Sequence, residues 1–179
     1  MNFFITGGAG FIGSTMIKHL IKNTNHRIIN YDKLTYAGNL ESLKSIKRNQ
    51  RYQFIYGDII EEKKIDKIFK KFQPDVIMNF AAESHVDRSI NTSQNFINTN
   101  IVGTYKLLNS ALKYWKELKG KKKLNFRFHQ VSTDEVFGSL GERGKFKESS
   151  PYNPNSPYSA SKAAADHLVR AWHTTYKIP

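Results

Sequence analysis

Tyr158 and Lys162 stand four residues apart, so on a helix they share one face. A tyrosine with a reference pKa of about 10 is a poor base at neutral pH. A lysine ammonium and the positive charge of an oxidised nicotinamide together lower it, so that the phenolate can take a hydroxyl proton while hydride leaves the same carbon. Ser132-Thr133-Asp134-Glu135 adds two adjacent carboxylates. Neighbouring strand residues face opposite sides, so both acids reach one pocket only if a strand has ended by Ser132 or Thr133. One reading is an exposed acidic turn. The other divides the pair into a base that removes a carbon-bound proton and a protonated acid that helps a hydroxyl leave. Redox and acid/base groups together describe oxidation of a substrate, elimination of water, and reduction of the same molecule.

Such chemistry needs a hydride carrier, and Thr6-Gly7-Gly8-Ala9-Gly10-Phe11-Ile12-Gly13 offers a place for one. Gly7, Gly10 and Gly13 have Gly-x-x-Gly-x-x-Gly spacing after an apolar run. That pattern permits a tight turn, close approach of backbone to a pyrophosphate, and packing of a following helix whose N-terminus stabilises the phosphate charge. Asp32 falls 19 positions beyond Gly13, at the end of a second apolar run. A carboxylate there accepts from a ribose diol and repels a 2′-phosphate, favouring NAD over NADP, with Lys33 beside it as a counter-argument. Asp58 follows a third run and reads equally as an adenine contact or as turn chemistry.

The elements that must position these residues alternate in period. Asn2 to Thr6, Arg27 to Tyr31, Tyr52 to Tyr56, Val76 to Phe80 and Phe126 to Val131 read as strands. Helical stripes run through Ile12, Met16, Ile17, Leu20 and Ile21, through Ile65, Ile68, Phe69 and Phe72, and from Phe96 to Trp115. A last stripe, Ala160, Ala164, Leu168, Ala171 and Trp172, continues the helix that begins near Tyr158, delivered by the proline-rich loop Pro151 to Pro157. The expected fold is α/β, a Rossmann-like doubly wound parallel sheet with helices on both faces and residues 1–179 as one NAD-binding domain. Lys177-Ile178-Pro179 resembles the lead-in to a sixth strand. The C-terminal part of the fold is therefore expected to be missing, with strand five as an open edge.

Composition narrows the classes. The chain has 179 residues, no cysteine and a formal charge of +13. Disulfides, thiolate catalysis and cysteine-bound zinc are excluded, the six histidines show no ligand spacing, and no metal is expected. No apolar run is long enough for a membrane span and the first residues lack signal-peptide character, so the expected location is cytoplasmic. The charge is scattered over solvent-side positions (Lys63, Lys64, Lys67, Lys70, Lys71), with one dense run, Lys119 to Lys123, expected as a solvated loop. No nucleic-acid partner is expected from that distribution.

With these residues in place the chain resembles the dTDP-glucose 4,6-dehydratase family of extended short-chain dehydrogenase/reductases. The resemblance rests on Thr6 to Gly13, Asp32 to Leu40, Ala81-Ala82-Glu83-Ser84-His85-Val86-Asp87-Arg88-Ser89, Ser132 to Val136, and Ser156 to Lys162. It implies that Tyr158 takes the 4-hydroxyl proton while NAD accepts hydride from C4, that Glu135 removes the C5 hydrogen, and that Asp134 protonates the departing C6 hydroxyl before hydride returns to C6. It also implies that Thr133 and Ser84 hold the sugar of dTDP-glucose. Phe11, Ile12, Asp32, Lys33, Leu34, Thr35, Asp58, Ile59, Phe80, Ala81, Ala82, Glu83, Ser84 and Thr99 would line the cofactor site, and the full-length protein would be a homodimer. Phe137 stands where the family commonly has Tyr, Asn79-Phe80 replaces His-Leu, and the loop from Gly138 to Ser150 is shortened. Another nucleotide-sugar epimerase or dehydratase, or an inactive NAD-binding fragment, are the alternatives.

Overall fold

The two sequence periods resolve into strands that end on one side of a sheet and helices that return the chain to the other. A computed structural model describes residues 1–179. Strands β1 (Asn2–Thr6), β2 (Arg27–Asp32), β3 (Tyr52–Tyr56), β4 (Val76–Asn79) and β5 (Arg127–Gln130) form one sheet in the order β3-β2-β1-β4-β5. Every pair is parallel, and the register places Phe4 between Ile29 and Ile77, with Phe128 beyond Ile77. Because side chains alternate along a strand, this row lies on one face while Ile5 and Ile28 lie on the other.

Each face is covered by helices whose stripes match it. On one, Ile65 and Phe69 of α2 (Glu62–Phe72) and Leu107, Ala111 and Leu112 of a later helix pack on Phe4, Ile29, Ile77 and Phe126. On the other, Ile17 and Ile21 of α1 (Phe11–Asn23) and Leu43 of a 3-10 helix, Leu40–Ile46, pack on Ile5 and Ile28. Phe4, Phe69 and Phe126 are fully buried, each such side chain contributing about 1.5–3 kcal/mol of transfer free energy.

After β4 the chain forms α3 (Val86–Asn91), α4 (Ser93–Phe96), a π-helical turn over Ile97–Gly103 and α5 (Thr104–Glu117). The single long stripe expected from Phe96 to Trp115 is thus interrupted in register. Lys119 to Lys123, expected as a loop, belongs largely to α6 (Gly120–Asn125). Contacts made elsewhere in the fold explain this: Trp115 Nε1 donates to the Lys123 carbonyl at 3.2 Å, the Lys123 ammonium lies 4.6 Å from the Trp115 ring centre, and Phe126 is buried just beyond.

The last helix, α7 (Pro157–Tyr176), starts where the sequence indicates. Pro157 fits the first turn, where no N–H is needed. Ser156 Oγ accepts from Ser159 N at 3.0 Å and Ser159 Oγ accepts from Ser156 N at 2.9 Å, a reciprocal cap. Its buried face differs from the expected stripe: Ala160 and Ala171 face solvent, while Tyr158, Ser161, Lys162 and Ala165 are buried. At the end of the chain Ile178 enters the core and the Pro179 carbonyl accepts from Phe128 N at 2.8 Å, so the edge of β5 expected to be open is paired at that point. No helix is long and apolar enough to cross a membrane.

Candidate active site

In this strand order the chain leaves β1 toward β2 on one side and, later, β4 on the other, which opens a crevice over the loop that follows β1. A groove of about 360 Å³ occupies it. The β1 loop contributes Gly7, Gly10, Phe11, Ile12 and Gly13, and the end of β2 contributes Asp32, Lys33 and Thr35. Asp58 and Ile59 enter after β3, Phe80, Ala81, Ala82, Glu83 and Ser84 after β4, Thr99 from the π turn, and Tyr158 and Lys162 from α7.

The glycine loop is shaped for close approach. Gly7 has φ +66, and a Cβ there would lie 2.5 Å from Ala81 N, so any side chain would separate the β1 and β4 loops. A Cβ on Gly13 would run into the Gly7 carbonyl. No side chain caps the N-terminus of α1 and its first turn holds no acid. The exposed N–H groups and positive dipole end suit an anion, so these residues fit a dinucleotide pyrophosphate.

Asp32 is fixed by two backbone donors. Its Oδ2 accepts from Ala9 N at 2.9 Å and its Oδ1 from Leu34 N at 2.8 Å, which presents a nearly buried carboxylate to the groove. Leu34 itself, expected among the cofactor residues, is not in the lining; its φ of +52 serves the turn that lets its N–H reach Asp32. Lys33 turns to Asp58 Oδ2 at 3.2 Å and Thr99 Oγ1 at 3.1 Å. Its ammonium is thus engaged in joining three segments of the wall.

At the other end of the groove, Lys162 is 5% exposed and its Nζ donates to the Val131 carbonyl at 2.5 Å. Burial pushes the Lys162 ammonium below its ordinary pKa, with Asp166 opposing. Burial pushes the Tyr158 phenol up; a hydrogen bond from Thr133 opposes this, while Glu135 and Asp134 reinforce it. Lowering Tyr158 into the working range of a base therefore needs added positive charge at the groove. The strand has ended before the acids: Thr133 caps a 3-10 turn, Asp134–Phe137, its Oγ1 accepting from Glu135 N at 3.3 Å. Thr133, Asp134 and Glu135 lie outside the groove's lining but close enough to Tyr158 to act on its phenol, with Glu135 half-buried and Asp134 exposed.

Ser132, at the head of the acid stretch, also lines the groove, and sequence reasoning missed several further wall residues: Tyr31, Ala37, Gly38, Gly57 and Val131. Gly38 belongs to a motif already singled out, and Gly57 directly follows β3, which runs parallel to β2, so both carried a signal. Asn100 carried none. Buried in the π turn, it accepts from Glu83 N at 2.8 Å, donates to the Glu83 carbonyl at 3.0 Å and to Ser161 Oγ at 2.8 Å, joining the β4 loop to α7. Asn79 is also explained: it accepts from Thr6 Oγ1 at 2.5 Å and donates to Gln130 Oε1 at 2.8 Å, linking β1, β4 and β5 beneath the groove.

Comparison with known proteins agrees with this fold. A family model described as GDP-mannose 4,6 dehydratase matches residues 4–179. The chain is 55% identical to a dTDP-glucose 4,6-dehydratase of Neisseria gonorrhoeae over 99% of its own length and 52% of that protein's. Among solved structures, it resembles dTDP-glucose 4,6-dehydratase from Bacillus anthracis in complex with NAD, with TM-score 0.86 and 43% identity over 100% of this chain and 52% of that one. It also resembles DesIV, a dTDP-glucose 4,6-dehydratase from Streptomyces venezuelae with NAD and TYD bound, with TM-score 0.89 and 41% identity over 99% and 53%. The chain spans about half the length of the curated relatives it matches.

Proposed function

The chain belongs to the GDP-mannose 4,6 dehydratase family, and on that premise we propose that it carries the redox and elimination groups of an NAD-dependent dTDP-glucose 4,6-dehydratase. One observation carries the choice of reaction. The Asp134–Phe137 turn, capped by Thr133, carries two carboxylates whose charge reaches the Tyr158 phenol, which supports a role for them beside it. Inverting a hydroxyl through a ketone needs a tyrosine and a hydride carrier; removing water from the adjacent carbons needs a further base and acid.

Tyr158, as phenolate, takes the C4 hydroxyl proton. NAD, when bound, supplies the hydride acceptor for C4 and the hydride donor for C6, so oxidation at one carbon balances reduction at another. A ketone at C4 acidifies the C5 hydrogen, which Glu135 removes. Asp134 protonates the C6 hydroxyl and it leaves as water. Glu135 then returns a proton to C5. The proton gained by Tyr158 matches the one lost by Asp134, and the products are dTDP-4-dehydro-6-deoxyglucose and water. Lys162 provides positive charge beside Tyr158, and Thr133 and Ser84 orient the sugar.

Gly7, Gly10 and Gly13 would receive the pyrophosphate and Asp32 the adenosine ribose, where its charge disfavours a 2′-phosphate. Exposed Ile97, Val102 and Tyr105 on the helical layer support a homodimer. A cytoplasmic setting follows from the nucleotide-sugar substrate and cofactor. Substituting Glu135→Gln in the full-length protein tests the reading: slow C4 oxidation persists, seen as reduced nicotinamide, and water loss stops. Undiminished water loss overturns the role given to Glu135.

A further inference from the structure

Asp166 lies on α7 one turn beyond Lys162 and two beyond Tyr158, so the three share a helix face. It is not in the groove's wall. Its Oδ2 accepts from two hydroxyls outside the helix, those of Ser132 and, at 3.0 Å, Tyr152. Ser132 immediately precedes Thr133, the cap of the acid turn. Tyr152 reaches the other end of that turn: its ring meets Phe137 edge-on with centres 5.4 Å apart, and Asn153 beside it donates its N–H to the Val136 carbonyl at 2.9 Å. One carboxylate therefore grips the Ser132–Phe137 segment at both ends and attaches it to the helix that carries Tyr158 and Lys162.

We propose that Asp166 is a positioning residue that holds Asp134 and Glu135 in register with Tyr158 and Lys162. Both partners donate, so position 166 requires an acceptor, which a carboxylate supplies and an apolar side chain cannot. Asp166 also opposes the effect of burial on the Lys162 ammonium, consistent with a charge that faces the same site. Misplacing reacting groups by about 1 Å costs on the order of 10²-fold in rate, so a residue that never touches substrate can decide the slow step.

The proposal rests on the dehydratase reading for its kinetic consequence only. In the full-length protein, Asp166→Ala slows water loss from dTDP-glucose about 10²-fold while C4 oxidation falls less than about threefold, so reduced nicotinamide accumulates. Asp166→Asn keeps an acceptor and restores most of the water loss. Independently of turnover, hydrogen exchange at the Val136 and Gly138 amides, which donate to the Thr133 and Glu135 carbonyls, accelerates about tenfold in Asp166→Ala, with β1 amides unchanged. Equal loss of both chemical steps, or unchanged exchange in the turn, overturns the proposal. Should Asp166→Ala fail to fold, Tyr152→Phe removes one hydroxyl and keeps the ring on Phe137; it must show the same selective acceleration at Gly138, and its absence overturns the proposal. If the unsubstituted protein removes no water from dTDP-glucose, the dehydratase reading fails and the exchange measurement still decides the role of Asp166.

Discussion

Lys162 Nζ donates to the Val131 carbonyl oxygen at 2.5 Å, which ties the helix bearing Tyr158 to the end of β5 at the floor of the groove. The ammonium is thereby held in place, and burial works against its charge. The Tyr158 phenol is raised by burial first, with both nearby carboxylates adding to the effect. The free protein thus holds Tyr158 as an acid whose conversion to a base depends on positive charge brought to the groove.

That dependence predicts a pH effect. Lys162→Met removes a fixed cation, so the pH at which C4 oxidation reaches half its maximum moves upward, and the rate at pH 7 falls about 10²-fold or more. Single-turnover formation of reduced nicotinamide as a function of pH measures both. An unshifted profile would remove Lys162 from the activation of Tyr158.

Gly7→Ala tests the cradle. Positive φ and a Cβ 2.5 Å from Ala81 N force the β1 and β4 loops apart, at a cost of about 1–3 kcal/mol. Urea unfolding reports the stability loss, and an NAD titration of the same variant reports at least a tenfold weaker dissociation constant.

Asp32→Ala tests cofactor choice. Its loss frees the Ala9 and Leu34 N–H groups and removes the charge that faces a 2′-phosphate. Discrimination is a difference of affinities. NAD binding weakens, NADP binding improves, and their ratio falls by about tenfold or more in parallel titrations.

Stability falls at alkaline pH. Tyr31, Tyr52, Tyr114 and Tyr158 all have pKa values raised above 10, in each case first by burial. Between 10 and each raised value the folded state retains a proton the unfolded chain has lost, so their contribution is complete below about pH 10 and is lost above it. Lys162, lowered, has the opposite sign, and its contribution stops growing once the pH passes the ordinary lysine pKa of about 10.5. The urea midpoint therefore drops from pH 9.5 toward about pH 11.5, and Tyr114→Phe, which loses only the bond to the Pro74 carbonyl, makes the drop shallower.

Much of this was legible because period and spacing are local. The strand cores, the glycine turn after β1, the carboxylate at the end of β2 and the Tyr158/Lys162 face depend on residues near one another in the chain. What was hidden depends on distant partners. The lysine run reads as a loop until Trp115 supplies an anchor for α6, and α7 buries Ser161 and Lys162 in place of Ala160 because Asn100 and Val131 offer hydrogen bonds. Leu34 enters the expected cofactor site through the resemblance alone, and the bond from its N–H to Asp32 is visible only in the fold. Asn100, Asn79 and Asp166 are polar residues whose meaning lies wholly in contacts made across the fold.

The most direct test of the central claim follows the hydrogen at C4. dTDP-glucose deuterated at C4, turned over by the full-length protein and examined by NMR and mass, yields a 4-dehydro-6-deoxy product that has lost water and carries the label at C6. Recovery of a sugar that has lost no water, with deuterium still at C4 or with only that centre inverted, contradicts it.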